Sequence, residues 1–438
     1  MNISNMRPLV LCLGIFAALL TIGCGGTKVI GDYQEGFLHI ISGRASSGGN
    51  TVTPFSVDPE AGTLTQLSAE LMPGWTNGSP QILDVDSLGD GNILLLERNG
   101  REFMSVVVDL DTGLVTEAGN MQTISFGNAP SQLHYDNGVI IINEAGGAAA
   151  ADQLSVYLFD RTARTFTEAV GSPLNTGTIH PGSGFFVDGH FFIGTDANII
   201  GIGDPVGLRH YTVSTSGQLT QVGQVDLDTT DANAISGFRY YYETNTLIVV
   251  VYYFAQAPSI NLIQINGAGA MTRLSSLTLN AAGRLGGDIL KVGERYIIGE
   301  QMASSQIHAI ENNSGTLAES TGFPFTLAGV DNLYLDDAFG DNIYFRMKNG
   351  AVNWPSFRSM AVATATLNLL EEIDIVAWAD MPASAKRQGK LFALSEGGGS
   401  PNSAAVIRVD LDNGDLTLVS EYGLPGTGPY TATFTLKP

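Results

Sequence analysis

Few stretches of this chain show helical periodicity; its apolar positions come instead in short runs at even spacing. Some runs, such as "NILLLE" from Asn92 and "GVIIINE" from Gly138, are apolar at nearly every position, the mark of a strand buried on both faces. Others sit on either side of a tight turn. "VTPFSVDPEAGTLTQL", from Val52 to Leu67, reads as strand, turn and strand, and near copies follow as "MSVVVDLDTGLVTEAG" from Met104 and "AVIRVDLDNGDLTLVS" from Ala405. A chain that repeats one such unit is building one supersecondary structure many times, so the repeat decides the fold.

Aligned on the turn glycine and the apolar residue two positions later, the units fall at Gly62/Leu64, Gly113/Val115, Arg164/Phe166, Gly217/Leu219, Gly269/Met271, Gly315/Leu317, Ala365/Leu367 and Gly414/Leu416. Successive steps are 51, 51, 53, 52, 46, 50 and 49 residues, which gives eight units. Glycine supplies the positive φ that a hairpin turn needs, and Asp58, Asp109, Asp160 and Asp410, four residues earlier, suit the turn entry. Arg164 and Ala365 depart from the pattern, so the third and seventh units are expected to turn differently.

Within each unit an inner segment such as "SPQILDVD" or "SQLHYD" leads to the apolar run, then to the repeat strand and a short last strand. Four short strands with an all-apolar second one are what a propeller blade requires, because neighbouring blades sandwich its middle strands. The chain enters on a second-strand-like run, "FLHIISG", and ends on a first-strand-like run, "YTATFTLKP". The expectation is therefore an all-β protein. It is a single closed β-propeller of four-stranded blades over residues 30–438, with the C-terminal strand completing the first blade and protecting its edge. Eight blades are expected, with seven as the alternative if the seventh unit is irregular.

Composition fits a globular β protein, with 44% hydrophobic residues, 53 glycines and only 15% charged residues. Residues 1–23 carry one basic side chain, Arg7, and an apolar run from Leu9 to Leu20, the pattern of an export signal too short to span a membrane. Its end, "LLTIGCGG", resembles a bacterial lipobox. That resemblance implies a lipidated Cys24 as the mature N-terminus, an anchor segment over residues 24–29 and a place in the outer membrane of a bacterial cell envelope. Cys12 lies inside the signal, which leaves no partner for an internal disulfide. The formal net charge is −22, and −23 without Arg7, so the surface repels nucleic acid and anionic headgroups.

"NTVTPFSVDPEAGTLTQL" resembles the YVTN-type repeat of the lactonase-like β-propellers, a likeness specific for fold rather than activity. More weakly, the length, blade number, anchor and C-terminal "VIRVDLDNGDLTLVSEYGLPGTGPYTATFTLKP" resemble bacterial outer-membrane propeller lipoproteins, a family that includes siderophore-capturing members. That second likeness implies a TonB-dependent transporter as partner, and it carries no binding residue across by position.

Local motifs for chemistry are absent. There is no G-x-S-x-G elbow, no H-E-x-x-H, and no glycine-rich loop with the Lys-Ser/Thr of a phosphate cradle. "DVDSLGDGN", from Asp84, imitates a calcium loop but has Leu88 and Leu95 where oxygen ligands are needed, and it reads as a hairpin turn. No metal and no cofactor is expected.

Propellers concentrate function around the channel mouth, where second strands end and first strands begin. The second-strand ends supply Arg44, Glu97 with Arg98, Glu144, Asp196, Tyr253, Glu300, Arg346 and Glu396. The loops entering first strands supply Trp75, His180, Arg284 and Trp378. Strands must end in something hydrophilic where they reach water, which accounts for part of this charge. A mixture of carboxylates, arginines and tryptophans on one face also suits a small anionic or aromatic ligand. Two functions follow. The first is capture of a small molecule, such as a ferric siderophore or carbohydrate, for a membrane transporter without catalysis. The second is a lactonase-type hydrolysis with Glu144 or Glu300 as general base. A protein-interaction propeller is a third.

Overall fold

The computed structural model describes residues 36–436 outside the stretches 43–50, 59–62, 69, 72–81, 89, 98–100, 119–121, 125–128, 146–151, 178–183, 196–205, 229–234, 254–256, 280–282, 303, 350–354, 364–365, 376–381, 389–390, 397–402 and 424–429. The signal, Cys24 and the anchor segment lie outside the described residues.

Eight antiparallel sheets follow one another along the chain, each built around four strands that run outward from the channel. Blades 2 to 8 occupy residues 82–123, 129–177, 184–228, 235–278, 284–326, 330–374 and 382–423. Blade 1 combines residues 36–71 with the C-terminal strand Tyr430–Leu436. That strand pairs antiparallel with Gly36–Ser42, from Gly36 opposite Leu436 to Ser42 opposite Tyr430, which closes the ring as the phase of the repeat requires. The seventh unit, whose turn the sequence leaves irregular, forms a complete sheet ordered Val330–Phe339, Asn342–Asn349, Pro355–Val362 and Leu367–Asp374.

The all-apolar second strands are explained by where the core lies. The described buried hydrophobic residues form eight clusters, one for each crevice between adjacent blades. Ile140 and Ile142 face blade 2 while Ile141, between them, faces blade 4, so one strand feeds two cores. At about 25 cal/mol per Å² of apolar surface removed from water, this burial is the main stabilising force of the fold.

The repeated turn glycine has a second use beside its backbone freedom. Gly113 takes φ 74°, and a Cβ there would stand 2.2 Å from a ring carbon of Phe37 in the neighbouring blade. The turn therefore docks on the preceding blade, where its carbonyl meets a buried polar group. His39 Nε2 lies 2.9 Å from Gly113 O, His210 Nδ1 lies 2.7 Å from Gly269 O, and Ser359 Oγ donates to Gly414 O at 2.5 Å. Arg164 turns with φ 55°, in the same left-handed region as the glycines, so the third unit departs from the pattern in residue type but not in the sign of φ.

Around the channel, the inner strand of blade 6 is interrupted at Gly286 and Gly287 and pairs there with the inner strand of blade 7. Leu335 N donates to Gly286 O at 2.7 Å, and Asp288 N donates to Leu335 O at 3.2 Å. Arg239 of blade 5 completes the stitch, with Nε 3.1 Å from Gly287 O and 3.3 Å from Asp288 Oδ1.

Candidate functional site

Of the side chains the sequence places at the channel mouth, Arg44, Trp75, Arg98, His180, Asp196 and Trp378 lie outside the described residues. Glu97 and Glu396 end the second strands of blades 2 and 8, and only their backbone is described. Arg284 is exposed at the start of blade 6. The other four turn sideways into the crevices: Glu144 and Glu300 are 0% exposed, Tyr253 3% and Arg346 8%. They do not meet. Residues of the same strand faces pack against blade 2 for Glu144, blade 4 for Tyr253, blade 5 for Glu300 and blade 8 for Arg346.

Each is held by its own partners. Arg346 pairs with Asp336, with Nη2 2.8 Å from Oδ1, and its guanidinium stands 5.0 Å from the centre of the Tyr334 ring. Burial pushes the Asp336 carboxyl up to about 6 against the attraction of Arg346. Tyr253 Oη is 3.4 Å from Ser259 Oγ.

Glu144 accepts a hydrogen bond from Ser155 of the third strand. Its other oxygen, Oε2, has no hydrogen-bond partner among the described residues. Burial raises the carboxyl to about 7, although the Ser155 hydroxyl and the Arg101 charge both work to lower it. Arg101 belongs to the turn between second and third strands of blade 2, on the mouth face, and is half-buried. A carboxyl that titrates near neutrality can exchange a proton with a bound molecule at ordinary pH.

Glu300 sits in an equivalent place three blades on. His308 lies between two carboxylates, with Nε2 3.1 Å from Glu300 Oε2 and Nδ1 2.6 Å from Glu319 Oε1. Burial disfavours the imidazolium, but the hydrogen bonds and charges of Glu300 and Glu319 outweigh it and raise the His308 pKa. Gly283 lies directly against this cluster, since a Cβ there would fall 2.1 Å from Glu300 Cγ. Among the described residues no three His, Cys, Asp or Glu side chains converge as a metal site needs.

Ser155 and His308 belong to a series that the mouth-centred reading of the sequence misses. Five residues before each turn entry stand Thr53, Met104, Ser155, Arg209, Asn261, His308, Arg358 and Ala405, six of them polar. Each polar member is paired across the sheet with a second-strand residue whose cluster faces the preceding blade, as Ser155 is with Ile142 and His308 with Ile298. The signal was available in the repeat arithmetic, because a polar residue recurring at one place in an otherwise apolar strand stands out once the turns are aligned.

No family model matches this chain, and no curated protein sequence does. Solved structures are similar in fold at low identity. A candidate 6-phosphogluconolactonase from Bacteroides uniformis aligns with TM-score 0.51 and 11% identity over 92% of this chain and 100% of that one. Sqt1 of Saccharomyces cerevisiae gives TM-score 0.56 and 11% identity over 79% of this chain and 86% of that one. The dihydro-heme d1 dehydrogenase NirN gives TM-score 0.56 and 12% identity over 94% of this chain and 78% of that one. At such identities the likeness establishes the β-propeller, including the lactonase-like form, and leaves activity to the site.

Proposed function

We propose that this propeller hydrolyses small lactones at the mouth-side crevice between blades 2 and 3. One observation carries the reading: Glu144 is a buried carboxyl at the mouth end of its strand, raised to about 7, with one oxygen unpartnered among the described residues and the charge of Arg101 acting on it. In its ionised form Glu144 takes a proton from water as the water oxygen attacks the ester carbon. The acyl C–O bond of the ring then breaks, and the proton passes to the departing alkoxide, leaving an open-chain hydroxy acid. Arg101 attracts the negative charge that develops on the carbonyl oxygen and, later, the product carboxylate. Fold similarity to the candidate phosphogluconolactonase supports this reading over the other chemistries a propeller can host.

The test is a pH-stat assay of δ-gluconolactone, its 6-phosphate and simple γ- and δ-lactones. Glu144→Gln is expected to lower kcat by about 10²–10⁴-fold, the usual contribution of a general base. Absence of turnover on every lactone, or full activity in the variant, overturns the proposal. Capture without turnover is the second reading, favoured by the exposed guanidinium of Arg284 on the same face. It predicts saturable lactone or sugar-acid binding that Arg284→Ala weakens and Glu144→Gln leaves intact.

A further inference from the structure

A separate cleft of about 270 Å³ opens in the crevice between blades 6 and 7, away from Glu144 and Arg101. Its roof is the segment that crosses from Phe325 and Thr326, at the edge of blade 6, through Leu327 and Ala328 to the inner strand of blade 7. Its floor is blade 7: Arg358, Met360, Leu367 and Leu369. Leu369 is 52% exposed, one of four large hydrophobic side chains left open to solvent among the described residues. The lining side chains are apolar apart from Thr326 and one charged group.

That group is Arg358, the blade 7 member of the third-strand polar series. Nη2 is 2.7 Å from Glu372 Oε2, and Ser356 Oγ donates to the same carboxylate at 3.0 Å. The ion pair is internally neutral and fixed in direction. The Nε–H of Arg358 is buried and has no hydrogen-bond partner among the described residues. A buried charged donor left unmade is costly, and one acceptor atom in the cleft removes the cost.

We infer that this cleft is a binding site for a small uncharged molecule with an apolar ring or short chain and one carbonyl oxygen, the oxygen accepting from Arg358 Nε. The size argues for a small ligand, since pockets for drug-sized molecules run from roughly 300 to 1,000 Å³. Charge argues for a neutral one. Glu372 already compensates Arg358, and the chain as a whole carries −22, so an anion gains nothing here that a carbonyl does not. Nothing in this site depends on the lactonase reading.

The experiment uses the full mature chain with acetophenone as probe and ethylbenzene, which has the ring but no acceptor, as control, both followed by ligand-observed NMR titration. Acetophenone is expected to bind at least tenfold more tightly than ethylbenzene, the worth of one hydrogen bond to a charged donor. Ala328→Trp, at an exposed position on the cleft rim, should fill the space and abolish binding while the melting temperature holds. Arg358→Lys, with melting checked in parallel, should erase the preference for acetophenone. No binding by either probe, equal binding by both, or binding that survives Ala328→Trp overturns the site.

Discussion

Blades 3 and 6 have carboxylates at the same two strand positions and fill the position between them differently, although Glu168 is exposed where Glu319 is half-buried. In blade 3 these are Glu144, then Ser155 opposite Ile142, then Glu168 opposite Tyr157. In blade 6 they are Glu300, then His308 opposite Ile298, then Glu319 opposite Ile310. The carboxylates are the same and the central residue changes from hydroxyl to imidazole. A hydroxyl can donate one hydrogen bond but brings no charge, so burial wins at Glu144 and its carboxyl rises to about 7. An imidazole has a ring nitrogen for each neighbour, so in blade 6 His308 bridges Glu300 and Glu319, and their hydrogen bonds and charges raise its pKa. The comparison teaches that one position on the third strand decides whether a buried glutamate is a proton-exchanging group or part of a structural clamp.

The largest effect should come from breaking the clamp. His308→Leu strands Glu300, fully buried, without a counter-charge, and the expected loss is about 3–5 kcal/mol in urea unfolding at neutral pH. His308→Gln, which still offers a donor, should lose less. If the two variants unfold alike and close to wild type, the cluster contributes no net stability and the contrast with blade 3 fails.

The next effect is on pH dependence. A carboxyl whose folded pKa is raised binds protons more tightly folded than unfolded, so Glu144 lowers stability as pH rises from about 4.5 to about 7. Glu144→Gln should remove that fall, a gain on the order of 2–3 kcal/mol at pH 8 relative to pH 4.5. His308, raised by its partners, adds a loss of its own only above pH 6.5, as pH passes through its folded pKa. Two buried histidines act the other way: His39 and His134, each lowered to about 4 by burial, lose stability as pH falls from 6.5 towards 4. The variant's profile against wild type isolates the Glu144 contribution, and parallel profiles would show that this carboxyl does not titrate near neutrality.

Smallest is Ser155→Ala. The hydroxyl bond to Glu144 is lost, but the carboxyl can take up a proton instead, so the cost should stay near 1 kcal/mol at pH 7. A cost as large as that of His308→Leu would mean that blades 3 and 6 are the same device after all.

Much of the architecture was legible before any coordinates. The turn residues from Gly62 to Gly414 count eight units, and "YTATFTLKP" announces a strand that must find its sheet at the other end of the chain. Turns and apolar runs are local, and their spacing survives in any fold that uses them. The direction of the polar side chains was another matter. Glu144, Glu300 and Arg346 are among the mouth residues the sequence suggests, yet all three are buried.

The chain by itself determined the blade count, the turn chemistry and the identity of the closing strand, because each depends on residues near one another or on a period that runs the whole length. Only the tertiary structure decided which polar groups meet. In most folds a strand's alternation separates inside from outside, but in a propeller both faces of a middle strand press against neighbouring blades. A polar residue at its end can therefore turn to the channel, to the blade before or to the blade after without changing the pattern of the sequence. That choice rests on which groups the packing brings together, as where the charge of Arg101 in blade 2 acts on Glu144 in blade 3, or where Arg346 meets Asp336 on the neighbouring strand of its own blade.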